Sequence, residues 1–308
     1  MSSPSPAATV WREAARAAAG GQHHPGGTLY VVATPIGNLA DLSLRALHVL
    51  GAVDAVACED TRVTGGLLRH LGLDKPLIAL HEHNEHAASA TVLARLAAGE
   101  RVAYVSDAGT PAVSDPGARL VAQAQAAGCR VMPLPGPSSV VTALSVAGDA
   151  AGAGGFHFAG FLPAKGAERS AALQRALDQP VPCVLFEAPH RLAALLAQLA
   201  EAAPQRRVTL CRELTKQFEQ VHTAPATDLP AWLAADPMHG KGEFVLVLHA
   251  APLAPAQAGD DGVDEAAART LAVLLRELPL KQAVGLAAEI TAAPRNALYT
   301  RALRLRDG

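Results

Sequence analysis

The chain is expected to be an α/β protein built in two sheet-bearing parts, and three observations lead there. Short apolar runs of strand type alternate with stretches of helical spacing, joined by short loops, which is the pattern of a parallel sheet covered on both faces. Polar segments, several rich in Gly and Pro, follow the apolar runs, where open α/β sheets bind ligands. Residues Gly148 to Gly155, nearly all Gly and Ala, divide the chain into two such series. A length of 308 residues suits two domains.

Residues 1–27, rich in Ala, Pro, Ser and Gly, read as a disordered extension. A short Ala-rich helix from about Trp11 to Ala19 would be stopped by Gly20, Gly21 and Pro25-Gly26-Gly27. An N-terminal α/β domain follows over 28–148. Its first strand, Thr28 to Ala33, enters Thr34-Pro35-Ile36-Gly37-Asn38-Leu39 and a helix from about Ser43 to Leu50. Asp54 to Cys58 leads to Glu59-Asp60-Thr61-Arg62 and a helix to Leu71. Leu77 to Leu80 runs into His81-Glu82-His83-Asn84-Glu85-His86 and a helix to about Ala97. Val102 to Val105 opens the loop Ser106 to Gly117, with a helix over Ala118 to Ala127. The fifth strand, Arg130 to Pro133, precedes Pro135-Gly136-Pro137-Ser138-Ser139 and the helix Val140 to Ala147.

The second α/β domain, 149–250, repeats the rhythm. Phe156 to Phe161 leads into Leu162-Pro163-Ala164-Lys165-Gly166 and a helix to about Leu177. Val181 to Phe186 ends in Glu187-Ala188-Pro189-His190-Arg191, with a helix to Ala200. Arg207 to Cys211 ends in Arg212-Glu213-Leu214-Thr215-Lys216, and Gly242 to His249 is the last strong strand. A Pro/Ala/Gly/Asp linker over 251–262 precedes a small helical tail, 263–308, carrying Arg295, Arg301, Arg304 and Arg306.

Composition narrows the function classes. Half the residues are hydrophobic, enough for sizeable cores, whereas aromatics at 4% argue against base-stacking platforms as the main mode of nucleic-acid binding. A net charge of −2 excludes holding RNA by bulk positive charge and leaves room for local basic patches. Cys58, Cys129, Cys183 and Cys211 are scattered beside apolar runs and form no Cys-x-x-Cys pair, so buried free thiols in a reducing compartment are expected. No apolar run reaches membrane-spanning length and no signal-peptide order is present at the N-terminus; a soluble cytoplasmic protein is expected.

The loop Ser106 to Gly117 carries the strongest local signal. Gly109 and Gly117 permit unusual backbone angles or close approach, Pro111 and Pro116 stiffen the path, and Asp107 and Asp115 can anchor turns or ligand hydroxyls. An ordinary Asx-turn loop would look the same. His81, His83 and His86 with Glu82 and Glu85 resemble a metal cluster, but no further His/Cys set completes one, so no metal is expected. Gly-x-Gly-x-x-Gly, P-loop and Gly-x-Ser-x-Gly patterns are absent, which argues against a dinucleotide site, a triphosphate site and a hydrolase elbow. What remains suits a small ligand bound largely through backbone groups.

Taken together, Thr28 to Leu47, Glu59-Asp-Thr-Arg62, His81-Glu-His-Asn-Glu85, Ser106 to Gly117, Pro135-Gly-Pro-Ser138, Gly160-Phe-Leu-Pro163, Pro189-His-Arg191, Arg212-Glu-Leu-Thr-Lys216 and Lys241-Gly-Glu243 resemble one family. It is the ribosomal RNA small-subunit (cytidine-1402)-2′-O-methyltransferases, a branch of the tetrapyrrole methylases. The resemblance covers about Thr28 to Leu305. It implies the two-domain tetrapyrrole-methylase-like fold, with a mostly parallel first sheet and a mixed second one. It also implies S-adenosylmethionine as methyl donor in a cleft between the domains, a homodimer, and as acceptor the ribose 2′-hydroxyl of cytidine 1402 in the decoding centre of 16S ribosomal RNA in the small subunit. The cofactor-binding positions implied are Thr34, Pro35, Gly37, Ser106, Asp107, Ala108, Gly109, Thr110, Val113, Ser138 and Ser139, closed over by Phe186, Leu214 and Gly242. Two departures stand out: Ala188 replaces the family's usual Ser, and Pro294-Arg295 stands where a Lys pair is common in the tail.

A ribose hydroxyl is a very weak acid, so a group that accepts its proton would help methyl transfer. Glu59, Asp60, Glu187 and His83 sit at strand ends facing the expected cleft; each could instead be a helix cap or a loop ion pair. Arg62, Lys165, Arg191 and Lys216 are the candidate RNA-phosphate contacts, or else solvated surface charges. Two rival readings share the fold: a tetrapyrrole C-methyltransferase, whose acceptor cleft would be large and apolar, and a non-catalytic ribosome-associated factor.

Overall fold

The computed structural model describes residues 6–81, 84–113, 117–150, 154–251, 263 and 265–306. Glu82, His83, Asp115 and Pro116, singled out above, lie outside the described residues, as does most of the 251–262 linker.

Five strands, β1 (Thr28–Val32), β2 (Ala55–Cys58), β3 (Leu77–Ala79), β4 (Arg101–Val105) and β5 (Arg130–Leu134), form a parallel sheet in the order β3-β2-β4-β1-β5. The apolar runs are continuous because the central strands are covered twice. Helices α2 (Leu44–Ala52) and α3 (Thr61–His70) pack on one face over Tyr30, Val32, Val56 and Val105. Helices α4 (Glu85–Ala97) and α5 (Gly117–Ala126) cover the other, over Leu29, Ala57, Val102 and Tyr104.

The N-terminal extension departs from expectation. Residues Pro6–Ala19 form helix α1, which buries Ala8, Ala15 and Ala19 and packs on α2. Small side chains on one stripe allow the close approach, Trp11 meets His70 edge-on at 5.9 Å, and Arg12 donates to the Gly72 carbonyl at 3.1 Å. Ordering comes from this tertiary contact rather than from intrinsic helicity.

Helix α6 (Ser139–Ala147) leads to the second sheet, whose strands are β6 (His157–Phe161), β7 (Cys183–Glu187), β8 (Arg207–Arg212), β9 (Gln220–Pro225) and β10 (Phe244–Leu248). Their order is β6-β7-β10-β8-β9, with β6 and β7 parallel and the remaining pairs antiparallel. One face is covered by α7 (Gly166–Leu177), α8 (Pro189–Ala202) and α9 (Leu229–Ala235). The other meets the first half of the chain: Ile36, Val140, Ala143 and Ala147 share one apolar cluster with Val184, Cys211, Leu214, Val245 and Val247. That shared cluster joins the two sheets and backs the site.

Strand β9 and helix α9 have no counterpart in the sequence reading. On α9, Trp232 is sandwiched between His222 and His239, with centroids 4.7 and 3.9 Å away. The tail is helical as expected: α10 (Glu265–Glu277), α11 (Leu280–Thr291) and α12 (Arg295–Arg306) enclose a small core of their own around Leu271, Val284 and Leu298. Cys58, Cys183 and Cys211 are buried free thiols, and burial pushes Cys183 up to about 11 and Cys211 up to about 12. Among the described residues, no helix is long and apolar enough to cross a membrane.

Candidate functional site

A cleft of about 480 Å3 opens where the carboxyl ends of β2 and β4 face β7, β8 and β10. The volume suits a small organic ligand.

One wall is made by loops of the first sheet. The peptide groups of Thr34 and Gly109 exchange two hydrogen bonds, at 2.9 and 3.1 Å, tying the loop after β1 to the loop after β4. The buried Thr34 hydroxyl donates to the Ser106 carbonyl at 3.1 Å, and the Ser106 hydroxyl to that of Gly109 at 3.0 Å. Thr110 donates to the Pro137 carbonyl at 2.9 Å, which fixes the approach to α6. Gly109 adopts a φ of 90°, and a Cβ there would lie 3.1 Å from Ile36 Cγ2, so only glycine fits without strain. Ser138 caps α6 with its backbone alone, leaving its hydroxyl and the first amides of the helix beside the cleft, where a carboxylate would be favoured. Glu59 and Asp107 bring carboxylates to the same space, and their field favours a cation.

The opposite wall is apolar and ring-lined: Phe161, Phe186, Leu214, Phe244 and Val245, with Cys211 behind. Glu213 and Thr215, flanking Leu214, both hold left-handed backbone, with φ of 51° and 66°. For a β-branched threonine this is strained. Of the implied cofactor positions, the cleft is lined by Ser106, Asp107, Ala108, Gly109, Thr110, Val113, Ser138, Ser139, Phe186 and Leu214. Thr34, Pro35, Gly37 and Gly242 are not among the residues that line it. Gly37 lies against the Lys216 stem, and Gly242 packs on Glu213.

The charged candidates divide. Glu59 lines the cleft and is exposed. Asp60 instead caps α3, accepting from the Arg62 amide at 2.8 Å and pairing with the Arg62 guanidinium at 2.6 Å. Its carboxyl is held down at about 2, the Arg62 side chain being the main cause. Glu187 has no exposed side-chain surface and sits between Arg169 and Arg191, each 3.0 Å away. Both guanidiniums also donate to the chain after β6: Arg169 to the Pro163 carbonyl, Arg191 to those of Leu162 and Pro163. Glu187, which also lines the cleft, and Arg191 are thus joined in an internal clamp. Lys216 pairs with Glu213 at 2.9 Å and Glu243 at 3.2 Å. Burial pulls its pKa down, but the two carboxylates outweigh it and raise the value. Lys165 stands exposed at the start of α7.

Ile36, Val140, Phe161, Ala188, Pro189, Cys211, Glu243, Phe244 and Val245 also line the cleft and were not chosen from the sequence. Ile36, Val140, Ala188 and Glu243 directly flank chosen residues, which was the available signal for them.

The chain belongs to the tetrapyrrole (corrin/porphyrin) methylases, whose family profile matches residues 28–230, and the fold is that of a methyltransferase of this class. A second profile, described as the RsmI C-terminal HTH domain, matches residues 261–306. Over 279 residues the chain is 49% identical to the Ribosomal RNA small subunit methyltransferase I of Pseudomonas aeruginosa, covering 90% of this chain and 97% of that protein. It is 48% identical over 278 residues to the protein of that name from Escherichia coli O157:H7, covering 90% and 95%. Among solved structures it resembles a cobalt precorrin-4 methyltransferase, with a TM-score of 0.53 and 17% identity over 72% of this chain and 94% of that one. It also resembles diphthine synthase, with a TM-score of 0.57 and 16% identity over 72% and 89%. At such identities these two speak for the fold alone.

Proposed function

We propose that this protein methylates the ribose 2′-hydroxyl of cytidine 1402 in 16S ribosomal RNA, using S-adenosylmethionine, and that it works as a cytoplasmic homodimer. The observation that carries the reading is near-half identity, over nine-tenths of the chain, to proteins named for methylating small-subunit ribosomal RNA.

The residues present fit the donor. The peptide-lined wall from Ser106 to Thr110 with the start of α6 offers amides and hydroxyls, Ile36, Val140, Leu214 and Val245 offer apolar contact, and Glu59 and Asp107 favour a positive centre. When bound, S-adenosylmethionine supplies a methyl carbon whose bond to sulfur breaks with its electron pair left on a neutral thioether. These two walls would hold the donor and position it toward the hydroxyl, and such positioning can supply much of the rate. Glu59, which lines the cleft, accepts the proton that the hydroxyl gives up. Lys165 and Arg62, both exposed, meet RNA phosphates. Val141 and Val146 leave apolar surface exposed on α6, in keeping with a second copy covering it.

The test supplies labelled S-adenosylmethionine with small subunits from cells lacking this methylation, and with candidate tetrapyrroles. Label on one cytidine ribose is expected. Label on a tetrapyrrole, or none at all, would reject the reading. Glu59→Gln is expected to lower kcat strongly, with a smaller loss of cofactor affinity.

A further inference from the structure

We propose that Phe161 is the stacking platform for the base of the acceptor nucleotide; this rests on the RNA reading above. The argument begins at a bulge. Strand β6 pairs regularly with β7 at His157–Cys183 and Phe158–Val184, then shifts so that Gly160 meets Leu185 and Phe161 meets Phe186. Gly160 takes the left-handed conformation, φ 64°, that such a bulge uses. Strict alternation would send Phe158 and Phe161 to opposite faces of the sheet. The extra residue brings both to the cleft side, where they flank Phe186 edge-on, at 5.0 and 5.5 Å. The next residue, Leu162, is already back in the core on the far face.

The backbone beyond the bulge is then fixed. Arg169 and Arg191, both paired with Glu187, together hold the carbonyls of Leu162 and Pro163, the two residues immediately after Phe161. Such anchoring contrasts with the ring it presents. Phe161 is 57% exposed, whereas Phe244 in the same cleft is 3% exposed and Phe186 is half-buried. A rigidly mounted phenyl at the rim, with a face in water, has the properties a stacking partner needs.

The chemistry creates the demand. A nucleotide presented to an enclosed site must leave its neighbours' stack, and an unstacked base is commonly received on an aromatic face. Beside peptide groups, small hydroxyls, carboxylates and aliphatic side chains, the cleft offers Phe161 as its most exposed ring, ahead of Phe186 and Phe244. The scarcity of aromatics in the chain does not weigh against this, because one base needs one ring.

The experiment measures steady-state methylation of small subunits lacking the modification, by wild type and by Phe161→Tyr, Phe161→Leu and Phe161→Ala, with S-adenosylmethionine affinity of each by calorimetry. Phe161→Ala is expected to lower kcat/KM for the subunit by roughly five- to a hundredfold, the range for loss of one base–aromatic stack. Cofactor affinity should stay at the wild-type value, Tyr should restore turnover, and Leu should not. Wild-type kinetics for Phe161→Ala would overturn the proposal. So would rescue by Leu equal to that by Tyr, which signals apolar packing, or a parallel fall in cofactor affinity, which places the ring in the donor's pocket. If the wild type itself leaves the subunit unmethylated, the RNA reading falls, and the stacking role with it.

Discussion

The two walls of the cleft are held in shape by different forces. The first is a weave of peptide groups and short hydroxyls, Thr34 to Gly109 and Ser106, Thr110 to Pro137. The second is mounted on ionised side chains, Glu187 between two arginines and Lys216 between two glutamates, that fix loops bearing apolar side chains. Peptide groups present a fixed pattern of donors and acceptors, suited to a ligand that is the same every turnover. Charged clamps behind exposed rings suit a surface that must receive something larger. Damage to the first wall should therefore show in affinity, and damage to the second in stability.

The largest effect tests the second wall. Glu187→Ala leaves Arg169, 5% exposed, without its carboxylate, and removing one partner of a buried ion pair typically costs about 3–5 kcal/mol. The melting temperature should drop sharply. Glu187→Gln keeps one acceptor oxygen for the two guanidiniums and should fall between. If Glu187 were the proton acceptor, Gln would instead abolish turnover with the melting temperature intact, and the contrast between the walls would break.

Gly109→Ala tests the first wall. An L-residue forced to a φ of 90°, with its Cβ 3.1 Å from Ile36, carries about 1–2 kcal/mol of strain that the loop can relieve only by moving. Calorimetry should show roughly a tenfold weaker affinity for S-adenosylmethionine, with a smaller change in melting temperature than Glu187→Ala gives. Equal loss of stability and no loss of affinity would mean that this wall is also mainly scaffold.

How much of this was visible beforehand follows from the same physics. The first sheet was legible because its strands are buried on both faces and read as apolar runs, Val102 to Val105 above all. Strand β9 was not: Gln220–Pro225 is a half-buried edge with no apolar run, recognisable only through its pairing with β8. Helix α1 needed α2 beneath its alanines. In the site, loop residues such as Ser106 to Thr110 announced themselves, whereas Phe244 and Val245 looked like core strand, since sequence does not say which end of a strand opens into a cleft. The clamp was half legible. Glu187 and Arg191 are four apart, but Arg169 and the carbonyls of Leu162 and Pro163 arrive only through the fold.

A milder, pH-dependent effect should come from behind the second wall. His249 is buried, and its ring contacts the Thr209 hydroxyl at 2.8 Å. Burial lowers its pKa below 6.5, only partly countered by Asp149, while Arg206 and Arg207 push the same way as burial. A lowered folded-state value means that the unfolded chain takes up the proton first. The stability from the neutral ring is thus complete above 6.5 and lost as pH falls through the folded value. Melting temperatures measured on either side of 6.5 should fall toward acid in the wild type and fall less in His249→Gln. The Gly109→Ala variant should keep the wild-type slope, since the first wall contributes nothing to it.

The smallest effect separates cap from contact at the rim. Asp60 accepts the Arg62 amide and also pairs with the Arg62 guanidinium, whose side chain is 89% exposed. An exposed ion pair contributes little to stability, while the cap needs only an acceptor oxygen, which asparagine retains. Asp60→Asn should therefore leave the melting temperature unchanged, whereas Asp60→Ala, which loses the cap, should lower it slightly. The same Asn variant removes the carboxylate that competes for Arg62. If Arg62 meets an RNA phosphate, freeing it should tighten subunit binding and steepen its decline with salt by about one phosphate's worth. Arg62→Ala should reverse both changes. An unchanged salt slope in both variants would confine Arg62 to its helix and leave phosphate contact to Lys165.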